Sequence, residues 1–205
     1  MNHLAHALLA GADDGVVLGS LLGDFWRGAP DPSWPAAVRG GVLLHRKIDV
    51  YTDSHPDVAT ARTLFERPWR RYSGILLDIY FDHVLARDWP RLGRGSLDDF
   101  SASIGALLRA HESWLPAGLN RFAGYFRAHG LFAAYAQRQV IERVLAGVGS
   151  RLRHANPLAG AGPVLWARAA QLDLVFDRFY PAVTVYARRL LDGPLLANQG
   201  VANLE

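Results

Sequence analysis

Apolar residues recur along this chain at three- and four-residue intervals, and histidines and aspartates interrupt the same runs. In residues 35–51, Val38, Val42, Leu43 and Ile48 keep a helical period, with Leu44 beside them, while His45 and Asp49 lie between. In residues 72–85, Ile75, Leu76, Ile79, Tyr80 and Val84 do the same around Asp78, Asp82 and His83. A charge set into an apolar helix face is costly to bury alone, so these groups need partners. The chain must therefore fold so that helices meet at their polar interruptions.

Strand signals are weak: alternating runs are few, and no Asn-Gly or Asp-Gly pair joins two of them as a hairpin. Pro and Gly cluster at 28–35, 90–95, 116–118 and 157–163, as loops between helices do. Asp53-Ser54-His55-Pro56 reads as a stop followed by a helix that opens on proline. Ser96 with Asp98 and Asp99 reads as a cap followed by first-turn acids. Residues 131–145 and 164–191 complete an all-α single-domain bundle over residues 1–203, with Pro181 expected to kink or divide the last helix. Leu204-Glu205 is set apart as an expression remnant.

At 205 residues with half of them hydrophobic and a fifth charged, the composition is globular. No apolar run reaches the 18 or so residues that span a bilayer, so no membrane association is expected. The first residues, Met1-Asn2-His3-Leu4-Ala5-His6, lack a basic stretch and a cleavage site, which predicts no secretion signal. The absence of cysteine excludes disulfides, thiolate metal sites and cysteine catalysis, and fits a cytoplasmic protein. The net charge of +3 rests almost wholly on arginine, Lys47 being the only lysine; a GC-rich coding bias accounts for that, although arginine also suits phosphate and carboxylate.

His3, His6, Asp24, His45, Asp49, Asp53, His55, Asp78, Asp82 and His83 all precede residue 90. His45 and Asp49 are four apart, which puts imidazole and carboxylate on one helix face, about 5–6 Å between Cβ atoms. They can share a metal or form a supporting Asp–His hydrogen bond, and they can equally be a surface contact. Asp78 and Asp82, also four apart, repel each other unless a cation lies between them. His83 is about 100° further round and could lean toward the same ion. Asp24 stands in the glycine-flanked apolar run Gly19-Ser20-Leu21-Leu22-Gly23-Asp24-Phe25, where it needs a partner, a helix cap or a buried arginine.

Nitrogen and carboxylate donors without sulfur suit Mn²⁺, Mg²⁺, Fe²⁺ or Zn²⁺, and the carboxylate excess leans toward the harder ions. Asp24, His45, Asp49, Asp82 and His83 are the candidate metal ligands. His6 and Asp78 are candidates for moving protons, and Arg27 and Arg46 for holding phosphate oxygens. His111, His129 and His154 lack acidic neighbours at ligand spacing and read as structural, and His55 as part of a helix start. There is no GxxxxGK[ST], GxGxxG, GxSxG or HExxH pattern.

These segments resemble the acyl carrier protein phosphodiesterases. The resemblance rests on residues 1–6, 19–28, 44–56 and 77–87, with weaker matches at 144–147 and 179–181. His3 departs from it, since a bulky apolar residue is usual there, and Lys47 stands where arginine is usual. The resemblance implies a helical fold distantly related to the HD phosphohydrolases and a divalent ion, typically manganese. It also implies hydrolysis of the phosphodiester joining 4′-phosphopantetheine to a carrier-protein serine. Functional weight then falls on Asp24, His45, Asp49, Asp78, Asp82 and His83, although Asp82-His83 reverses the His-Asp order of the HD proteins. The partner implied is holo-acyl carrier protein, not nucleic acid, and Arg62, Arg67, Arg70 and Arg71 are candidates for the face that meets it. Competing readings are an HD-like hydrolase of a nucleotide or signalling phosphate, a non-catalytic carrier-protein- or RNA-binding module, and a structural bundle held by buried ion pairs.

Overall fold

Two glycines decide the first helix pair. A side chain on Gly19 would run into the carbonyl of Val38 and the Cα of Gly41, and one on Gly41 into Val16 and Gly19. The backbones of α2 (Asp14–Leu22) and α3 (Ala36–Ser54) therefore approach directly, which only residues without Cβ permit. Before them comes α1 (His3–Leu9); α4 (Pro56–Thr63) and α5 (Ser73–Arg87) follow. The computed structural model describes residues 1–193, so Leu204-Glu205 lies outside the described residues. The chain continues through α6 (Trp89–Leu92), α7 (Leu97–Ala110), α8 (Ala117–His129), α9 (Leu131–Ala134), α10 (Arg138–Arg151), α11 (Gly162–Trp166) and α12 (Ala169–Asp192). No strand occurs among the described residues, as expected of an all-α chain.

Local chemistry accounts for most boundaries. Ser96 accepts from the N–H groups of Asp98 and Asp99, and His55 from that of Asp57 with Pro56 at the first helical position. Two long expected helices are instead interrupted. The 131–145 run breaks after Ala134, because Gln137 is extended and the Tyr135 carbonyl accepts from His83 Nδ1 at 2.8 Å. The 164–191 run breaks at Arg168, whose guanidinium donates to the Leu64 and Val164 carbonyls. Pro181, by contrast, does not divide α12. Its ring is exposed, while Phe176, Phe179, Tyr180 and Val183 pack on either side and offset the missing hydrogen bond. The apolar core is one contiguous cluster in which α5 and α12 meet through Phe81, Phe176 and Phe179.

Candidate functional site

α3 carries His45 and Asp49 to the end of α2, where Gly23 and Asp24 follow. A side chain at Gly23 would collide with the His45 ring, so glycine is what lets the imidazole lie against this turn. His45 Nε2 stands 3.1 Å from Asp49 Oδ2 and 3.4 Å from Asp24 Oδ1. α1 brings in His6, whose Nε2 is 3.0 Å from Asp49 Oδ1 and whose ring stacks on His45 at 3.8 Å. His3, one turn earlier, sets Nδ1 3.2 Å from Asp24 Oδ2 and packs on Phe25 and Phe122. Both central imidazoles are buried, whereas Asp24 and Asp49 keep 42% and 40% of their side chains open to solvent, so a ligand can reach the carboxylates.

The electrostatics are those of a tightly coupled set. Burial opposes a charge on His45, but hydrogen bonds to Asp24 and Asp49 outweigh it and raise its pKa to about 9. Burial, reinforced by neighbouring His45, lowers His6 to about 4 against the pull of Asp49. Burial also disfavours the Asp24 and Asp49 charges, yet the imidazoles around them win and hold both carboxyls well below the usual range. One donor atom from each of His6, His45 and Asp49 falls within 4.8 Å of the others, a group that can hold a metal ion. The residues fit such an ion: the set is two imidazole nitrogens and a carboxylate, with Asp24 alongside and no sulfur. Each ring turns Nε2 to the carboxylates and leaves Nδ1 buried without a protein partner.

The paired aspartates of α5 go elsewhere. Asp82 accepts from the N–H groups of Leu4 at 2.8 Å and Ala5 at 3.0 Å, capping α1 in place of Asn2, whose side chain makes no cap. Asp78 accepts from the Met1 ammonium at 2.9 Å, and that ammonium also lies 3.7 Å from Asp49. Asp78 is therefore met by the Met1 amino group and Asp82 by the positive end of α1. The expectation that Asp82 and His83 ligate beside His45 is corrected: Asp82 spends both oxygens on backbone, and His83 donates to the Tyr135 carbonyl, its ring edge against Trp166. Adjacent helix positions diverge by about 100°, too far for both to reach one point. Backbone hydrogen bonds, and no ion pair among the described residues, hold these two side chains.

Arg46 is also displaced from its expected role. Its guanidinium donates to the Gly28 and Trp26 carbonyls at 2.6 and 2.9 Å, which pins the loop after Asp24. Arg27, in that loop, is exposed. Asp53 pairs with Arg62, and His55 caps α4. Arg62, Arg70 and Arg71, with Ser73 and Gly74, line an open basic depression, and Arg67 is not part of it. Sequence reasoning missed the Met1 ammonium and the contact of His3, which as a departure from the usual apolar residue was set aside. Gly23, next to Asp24, was the available sign of a close approach there.

Fold and site together define an all-helical protein with a nitrogen–oxygen donor cluster built from α1, α3 and the turn after α2. The model of a family described as acyl carrier protein phosphodiesterase matches residues 1–183. A protein of Serratia proteamaculans with that name is 35% identical over 189 residues, covering 92% of this chain and 98% of its own. One from Yersinia pestis is 36% identical over 184 residues (89% and 95%), and one from Escherichia coli O157:H7 is 34% identical over 190 (92% and 98%). The chain belongs to the acyl carrier protein phosphodiesterase family. No solved structure matches it, so the kinship with HD phosphohydrolases has no structural counterpart here.

Proposed function

We propose that this protein is a metal-dependent phosphodiesterase that hydrolyses the bond between 4′-phosphopantetheine and the serine of holo-acyl carrier protein, releasing the apo-carrier. The observation that carries the reading is the meeting of His6, His45 and Asp49 within 4.8 Å in a chain of this family. His6, His45, Asp49 and Asp24 would hold the ion, with Mn²⁺ the first choice and Mg²⁺ or Fe²⁺ as substitutes. When bound, the ion supplies an activated water and polarises a phosphoryl oxygen. His6 then serves as donor and not as proton carrier, which leaves Asp78, half-buried between the ammonium and the site, to hold the proton. Arg27 is free to meet phosphate charge, while Arg46 orients the loop that presents it.

The basic depression adjoins this centre. Asp53, the partner of Arg62, is one turn along α3 from Asp49, and Gly74 is one turn along α5 from Asp78, about 5–6 Å in each case. An acidic carrier would dock there, steered by Arg62, Arg70 and Arg71, in a salt-sensitive manner. We assign the activity to the cytoplasm; no described helix is long and apolar enough to cross a membrane. The test is mass spectrometry of holo-acyl carrier protein incubated with the protein and Mn²⁺. Loss of the phosphopantetheine mass, abolished by chelator, is expected, and an unchanged carrier mass or chelator-insensitive loss overturns the reading.

A further inference from the structure

A second cavity of about 420 Å³ lies between the C-terminal end of α1, the start of α2, α7 and the last turns of α12, and shares no residue with the metal cluster. That is the size of a small-molecule site. Its walls are more apolar than polar, with Leu8, Val17, Phe100, Ile104 and Leu191 among them. Two hydroxyls on these walls are already spent on their own helices, Ser103 on the Phe100 carbonyl and Thr184 on the Tyr180 carbonyl, both at 2.8 Å. Gly11, left-handed at φ +82° and 3.5 Å from Leu191 at its Cβ position, borders the space without filling it.

Charge appears at the edge. Arg94 and Arg188 are exposed and take no part in the arginine ion pairs found among the described residues. Asp14 also borders the cavity, but it sits in the first turn of α2, where the helix dipole offsets its charge. An apolar interior with few free polar groups disfavours sugars and nucleotides, which would leave their hydroxyls unpaired. Two guanidinium groups at the edge suit a carboxylate head. We propose that this cavity binds an unbranched aliphatic carboxylate, its chain inside and its head between Arg94 and Arg188. The site is separate from the proposed hydrolytic centre and does not depend on it.

Isothermal titration of the full chain with hexanoate, octanoate and decanoate, below their micellar concentrations, tests the proposal. Affinity should tighten about fourfold per added methylene. Ser103→Trp places an indole in the space from an exposed position and should weaken decanoate binding more than tenfold with the thermal transition retained. Arg94→Ala with Arg188→Ala should weaken decanoate by about three- to tenfold and leave 1-decanol unchanged. Absence of saturable uptake, or binding indifferent to chain length and to Ser103→Trp, overturns it. Uptake only after residues 194–205 are removed would assign the cavity to the chain's own tail and overturn it too.

Discussion

α3 and α5 carry the same device, two ionisable groups four residues apart on an apolar helix, yet they serve opposite ends. On α3, His45 and Asp49 face an opening where the carboxylate stays partly exposed and further donors arrive from α1 and the α2 turn. On α5, Asp78 and Asp82 face the start of α1 and are satisfied by an ammonium and two backbone N–H groups. The first pair keeps a face on which a ligand can bind; in the second, Asp82 holds in place the helix that delivers His6, and Asp78 stands between that helix and the site. Identical spacing thus says that a partner is required, and the partner decides whether the result is a site or a fastening.

That contrast can be broken first at its strongest point. Asp49→Ala should lower carrier hydrolysis at least a thousandfold, since several kcal/mol of charge stabilisation depend on the ion, about 4 kcal/mol being that factor. Its urea-unfolding midpoint should fall less than that of Asp82→Ala, because Asp24 still pairs with His45, and an equal fall would erase the distinction. Asp82→Ala should do the reverse, costing about 3 kcal/mol in urea unfolding by stranding two buried N–H groups. Gly23→Ala keeps the backbone but pushes His45 aside, and a ten- to hundredfold loss of Mn²⁺ affinity is expected by titration calorimetry.

pH separates the two faces further. His45, raised from 6.5 to about 9, binds its proton more tightly folded than unfolded, so its contribution is complete below pH 6.5 and disappears as pH rises through 9. In chelator, the melting temperature should fall across that window, and His45→Gln should flatten the fall. Asp82 shifts in the same direction for a different reason: burial raises it to about 7 against its two backbone donors, so ionising it between pH 4 and 7 weakens the fold. The smallest effect belongs to the depression beside both helices. Arg70→Ala with Arg71→Ala should lower kcat/KM about three- to tenfold at low salt and less at high salt, because exposed charges are screened.

Much of this was legible along the chain, because helical period, capping residues and prolines act within a few residues. The 35–51 and 72–85 helices, the Ser96 cap and the Pro56 start are local decisions, and the demand that His45, Asp49, Asp78 and Asp82 find partners follows from burying charge. Which partner each found was not local. His6 joins His45 across 39 positions of chain, Asp82 reaches Leu4 across 78, and Arg46 turns from phosphate to two loop carbonyls. Those choices depend on how closely α2 and α3 approach at Gly19 and Gly41 and on where α1 is capped, contacts between segments that no spacing rule encodes. The sequence by itself determined that helices must meet at their charges; the tertiary structure decided which charges became a cluster able to hold a metal ion and which became the fastening beside it.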